Sequence, residues 1–257
     1  MDRATPIGVG LGLAAILVAN VLEGGNPMSL LLLPPMLLVF GGTIGAAVAG
    51  GTMADAKHAV TSLKRAMAWK ATPPAELVPV VVSLADKARR EGLLMLEDAA
   101  KEVDDDFLRR GVSLAVDGTD PDELREILES ELFAKRSADK HAAKFFNDMG
   151  GYAPTIGIIG TVMGLVHVLE NLSQPEELGH LIAGAFIATL WGVLSANVVW
   201  LPIGSRLSRI GELEAQRMEL VVEGVMAIQA GSNPRVVAQR LQSLLPAEER
   251  ETEQRAA

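Results

Sequence analysis

The chain has 257 residues, is 49% apolar with a mean hydropathy of +0.27, and is still 21% charged. That blend is too apolar for a soluble protein and too charged for one confined to lipid. The absence of cysteine excludes disulfide frameworks, thiolate metal sites and cysteine nucleophiles, and the net charge of -9 argues against a nucleic-acid partner. Its 25 glycines outnumber the 6 Phe, 3 Trp and 1 Tyr, an economy that suits helices packing by close backbone approach in a membrane.

Four stretches carry no Asp, Glu, Lys or Arg: residues 5–22, 24–53, 149–168 and 178–204. Each can hold the roughly 20 residues that a helix needs to cross a bilayer. In the second, the spanning portion falls at residues 30–50, where Pro34-Pro35 should either kink the helix or mark its first turn. A cleavable signal peptide fits the N-terminus poorly, because Asp2-Arg3 is a weak cationic region and the next span follows after a short turn. The connections at residues 23–27 and 170–177 hold no Lys or Arg, whereas Lys57, Lys64, Arg65 and Lys70 follow the second span and Arg206 and Arg209 the fourth. Both termini and the long middle segment are therefore expected on the cytoplasmic side of the plasma membrane.

The polar segments read as helices. Thr72-Pro73-Pro74, Asp120-Pro121 and Asn233-Pro234 each place a capping side chain ahead of a proline. Leu77, Val80, Val81, Leu84 and Ala88, then Leu96, Ala100, Val103, Phe107 and Leu108, recur at helical spacing, as do Val237, Leu241 and Leu244. The tail at residues 246–257 is polar, and no strand signal stands out. The expected fold is all-α: a polytopic membrane protein with four spans and a helical cytoplasmic domain. Its parts are residues 1–53 (spans one and two), 54–148 (cytoplasmic), 149–204 (spans three and four) and 205–257 (C-terminal helices and tail).

Spans three and four have a composed face. Ala153, Gly157, Gly160, Thr161 and Gly164 lie to one side of the third, and Gly184, Ala188, Gly192 and Ala196 recur every four residues in the fourth. Such stripes serve either packing within one chain or a seat in an oligomer. Thr161, Thr189, Ser195 and Asn197 are the polar groups at membrane depth. A single Thr often bonds back to its own helix, but two on adjacent small-residue faces suit an ion route. Pro154 and Pro202 each remove a backbone hydrogen bond, giving a plain kink or a point of flexure. No acid lies inside any span, and His167 and His180 fall at the span ends. Ion conduction would need a carboxylate from another chain. With His58 and His141, these histidines make no metal-ligand motif, and no phosphate loop or nucleophile motif suggests an enzyme or a bound cofactor.

Four motifs in order then resemble the MotA family of flagellar stator subunits, in the wider group with TolQ and ExbB. They are Val39-Phe-Gly-Gly-Thr-Ile-Gly45, Ala153-Pro-Thr-Ile-Gly-Ile-Ile-Gly-Thr-Val-Met-Gly164, Ala188-Thr-Leu-Trp-Gly192 leading to Pro202, and Asn233-Pro-Arg-Val-Val237. The resemblance implies a homopentamer around two copies of a MotB-like one-span subunit, which brings a membrane Asp and grips peptidoglycan. It further implies that Thr189, preceded by Ala188, faces that Asp with Thr161 nearby, and that Pro154 and Pro202 relay ion occupancy into movement. Arg89, or Arg90 beside it, and Glu97 would contact the rotor's switch ring; read without the family, they are a solvated charge pair eight residues apart on a helix. The transported ion would be H+ or Na+. Thr161 resembles sodium-type members, and Ala188 departs from them. The rival readings are a TolQ/ExbB-like energiser of another envelope machine and a channel that works alone.

Overall fold

The computed structural model describes residues 4–69 and 73–245, all of whose regular elements are helical. The expected Thr72 cap and the tail lie outside the described residues. The chain divides into two compact units, residues 1–70 with 139–209, and residues 71–138 with 210–257. Residues 54–70 and 139–148, assigned from sequence to the soluble part, thus cluster with the apolar helices.

The first unit begins with α1 (Ala4–Leu22), none of whose residues is buried. A helix that is apolar all round yet buries none of its residues in the protein has lipid as its natural surroundings. A turn at Pro27–Leu30, capped by the Asn26 side chain, leads to α2 (Leu33–Ala49). Pro34 and Pro35 sit in its first turn, where a missing N–H costs nothing, so they start this helix rather than kink it. At 1.5 Å per residue, α2 covers about 25 Å. The chain then bends by 120° into α3 (Met53–Ala68). Thr52 and Asp55 close a reciprocal capping box at that start, with Thr52 N–H donating to the Asp55 carboxylate at 2.9 Å and Asp55 N–H donating to the Thr52 hydroxyl at 3.1 Å. Arg65 on α3 pairs at 2.7 Å with Asp139, whose side chain is only 6% exposed.

The third and fourth apolar stretches lie in two long helices, α7 (Pro121–Glu170) and α8 (Pro175–Gln229). With α1 and α2 they give four apolar helices, three of which are individually long enough to cross a membrane. The Asp120 side chain accepts from Asp122 N–H at 2.9 Å to open α7, as its place before Pro121 predicts. Inside α8, a π-helical turn spans Ser195–Trp200. Trp191 and Trp200 of α8 surround Phe40 of α2, with ring centroids 5.7 and 6.3 Å away, and Trp191 Nε1 donates to the Leu30 carbonyl at 2.7 Å.

The second unit holds α4 (Leu77–Glu91), α5 (Leu96–Lys101), α6 (Asp106–Val116), α9 (Pro234–Leu244) and the polar parts of α7 and α8. Its core joins Leu77, Val81, Leu84 and Ala88 to Leu96, Ala100, Val103, Phe107 and Leu108, as the helical spacing predicts, and to Val237 and Leu241. Val80 and Leu244 differ from expectation: they are 36% and 48% exposed. Asn233 caps α9, accepting from Arg235 N–H at 3.0 Å. Asp105 caps the start of α6 through Leu108 N–H and also binds Arg217 Nε at 2.8 Å, so one carboxylate opens a helix and ties α8 to it.

A candidate ion path between two packed helices

Small residues decide how closely α7 and α8 approach in the first unit. A Cβ added to Gly157 would stand 2.9 Å from the Ala188 carbonyl oxygen and 3.2 Å from the Cα of Gly192. One added to Gly192 would stand 2.6 Å from the Ala153 carbonyl oxygen, and Gly160 and Gly164 meet the methyl groups of Ala188 and Ala185 in the same way, at 2.6 Å each. No side chain larger than hydrogen fits at such distances, so dispersion between backbones holds the pair. The two stripes therefore meet each other within one chain. Gly184 is not part of this contact, since a Cβ there meets nothing within 4 Å.

That approach brings the two membrane threonines together. The Thr161 hydroxyl lies 3.0 Å from the Ala185 carbonyl oxygen on the opposite helix and 3.2 Å from that of Gly157 on its own. It is also hydrogen-bonded to the Thr189 hydroxyl, which lies 3.4 Å from the Gly157 oxygen. Four oxygen atoms thus converge with two hydroxyl hydrogens to share, leaving lone pairs free to receive a proton or a hard cation. Ala188, whose methyl group faces Gly160, is buried. Ser195 and Asn197 stand apart, each turned back to its own helix, at 3.3 Å from Gly192 O and 2.9 Å from Val193 O. The outward face of the third stretch stays uncovered in the single chain, with Ile158, Ile159, Val162 and Met163 all more than half exposed.

The two prolines sit differently. Pro154 lies inside the continuous α7. Pro202 directly follows the π turn of α8, where Leu201 N–H reaches back five residues to Ala196 O. A widened turn accommodates a proline ring that would otherwise press on the carbonyl four residues earlier. Sequence reading missed the π turn, for which Pro202 itself was the signal. It also missed Thr43 on α2, which is fully buried with a hydroxyl lacking a partner among the described residues.

Arg89 and Glu97, expected as a charge pair on one helix, lie on two. Gly92, at φ +90°, ends α4 and turns the chain through Leu93–Met95 into α5. A glycine just past a helical run is the usual stop signal, since only glycine adopts that φ without strain. Arg89 and Arg90 thus close α4, and Glu97 opens α5. Arg90 pairs with Asp86 at 3.0 Å and Glu97 with Lys101 at 3.5 Å, whereas Arg89 is exposed with no ion pair among the described residues.

Two family models match successive parts of the chain: "Motility protein A N-terminal" over residues 6–92 and "MotA/TolQ/ExbB proton channel family" over residues 99–220. Motility protein A of Bacillus subtilis is 36% identical over 97% of this chain and 93% of its own. The chain belongs to the MotA family. The MotAB structure from C. jejuni superposes with a TM-score of 0.90 at 30% identity, covering 96% of this chain and 97% of that one. The flagellar MotAB stator complex of Bacillus subtilis gives 0.88 at 36% identity, over 97% and 98%. The expected membership and all-α membrane fold therefore hold, and this MotA-family chain is a multi-pass membrane protein.

Proposed function

We propose that this chain is the ion-conducting stator subunit of a bacterial flagellar motor, without enzymatic activity, coupling H+ or Na+ flow to torque. One observation carries the mechanism: the paired hydroxyls of Thr161 and Thr189 offer oxygen ligands at membrane depth where the chain has no acid of its own. A MotB-like partner supplies the carboxylate, and a pentamer of this chain encloses it, with both termini in the cytoplasm. Relatives of known structure are MotAB complexes, which supports that partner. Each charge moved through 100 mV releases about 2.3 kcal/mol, several times thermal energy. Pro154 and Pro202, both on the side of the ion site that leads to the polar segments of their helices, pass the change in occupancy to the soluble helices. Arg89 and Glu97 then engage the rotor's switch ring.

The test is flux in vesicles with and without the MotB-like partner, in sodium and in potassium. Flux that needs the partner supports the proposal, and flux by this chain alone refutes it. Loss of flux on replacing sodium by potassium assigns Na+, and unchanged flux assigns H+.

A further inference from the structure

Helix α3 has two unlike faces. Ala59, Ser62 and Ala66 are buried against the first unit. On the opposite side, Met53, Lys57, Val60, Lys64 and Met67 share an arc of about 80°, at 100° per residue. The three apolar members of that arc are 65%, 54% and 59% exposed. Lys57 and Lys64 are exposed too, and neither has an ion pair among the described residues. In water, this alternation of bare methionine and unpaired lysine has nothing to bind.

The helix's position says what covers it. Its start lies just beyond the end of α2, after a 120° bend. Its C-terminal half lines a small cleft through Leu63 and Met67, together with Thr5 and Pro6 from the start of α1 and Ile203 and Arg206 from around the end of the fourth stretch. Both ends of α3 are therefore level with the ends of apolar helices, so the helix runs along the bilayer boundary. Trp69 at its end stacks under Arg206, 5.4 Å from the ring centroid, a pairing suited to the headgroup layer.

We infer that the exposed face of α3 is a docking site for anionic phospholipid headgroups, with Met53, Val60 and Met67 in the acyl boundary and Lys57 and Lys64 reaching the phosphates. This rests on the membrane-embedded stator reading. The lysine stems lie along the apolar stripe and carry their charges outward. Such a contact holds the elbow between α2 and α3 at a fixed depth.

The purified complex, in neutral detergent, is titrated with phosphatidylglycerol and with phosphatidylcholine, and bound lipid is counted by native mass spectrometry. Each lysine near an anionic surface contributes about fivefold in affinity, so Lys57→Gln/Lys64→Gln should weaken phosphatidylglycerol binding about 25-fold. The charge-matched Lys87→Gln/Arg235→Gln, in the second unit, should leave it unchanged. Equal binding of both lipids by the parent, or undiminished phosphatidylglycerol binding by the double variant, overturns the inference. So does a double variant whose oligomer dissociates in lipid-free detergent, because the face would then be a subunit contact. A complex that binds lipid as expected but conducts no ions counts against the stator reading alone.

Discussion

Thr161 and Thr189 join their hydroxyls across two helices whose backbones approach closely enough for the contact because glycine and alanine flank both threonines. The bond between them is modest, about 0.6 kcal/mol for a typical interhelical pair in a membrane. Its oxygens matter more for conduction than for stability. Thr189→Ser should therefore keep ion flux within about twofold, whereas Thr189→Val, similar in shape but without the oxygen, should lower it at least tenfold; removing one hydroxyl costs roughly 1 kcal/mol or more when a partner is left unpaired. Flux and swimming speed, compared at equal membrane abundance, check this. Equal flux from the Ser and Val variants would discard the ion-path assignment.

The glycine contacts separate positions that look alike in sequence. Gly192→Val would drive a side chain into the Ala153 carbonyl, and overpacking of this kind costs about 1–3 kcal/mol. Gly184→Ala meets open space within the chain. Thermal unfolding in detergent should show a clear loss for the first and little change for the second.

Charge reversal tests the rotor contact. Arg89→Glu and Glu97→Lys, each alone, should abolish swimming while membrane insertion and unfolding temperature stay unchanged, since exposed ion pairs contribute about 0–1 kcal/mol. Arg90→Glu acts less strongly on motility, because Arg90 is already engaged by Asp86. Equal effects at the two arginines would show that net charge, not Arg89, is recognised.

The cap of α3 makes a pH prediction. The hydrogen bonds from Thr52, first its hydroxyl and then its backbone N–H, hold the Asp55 carboxyl below the ordinary carboxylate range. A depressed carboxylate adds stability that is present above the unfolded value, near 3.9, and is lost as pH falls through the folded value. Thr52→Ala should raise the Asp55 pKa toward the ordinary value, as read by NMR titration of its side chain. An unchanged pKa would mean that the hydroxyl is not the cause.

The second unit's helices were legible because burial imposes a 3.6-residue period that Leu77, Val81, Leu84 and Ala88 display in order. The break at Gly92 is equally written in the chain, as a glycine after a helical run, and it interrupts the spacing from Arg89 to Glu97. The capping box at Thr52 and Asp55 carried its own short-range pattern and went unread. The Arg65–Asp139 pair left no such trace, because its partners lie 74 residues apart and either residue alone suits a surface.

Amino-acid order alone determined the four apolar stretches, because bilayer thickness sets a length that any uncharged run must satisfy, and it placed the threonines and the missing acid within them. Tertiary structure alone decided which surfaces those stretches use: the glycine stripes close on each other, Thr161 reaches Thr189, and α3 turns its lysines outward. Periodicity reports that a face is small or polar. What that face meets depends on a second helix whose rotation and register arise only when the chain packs.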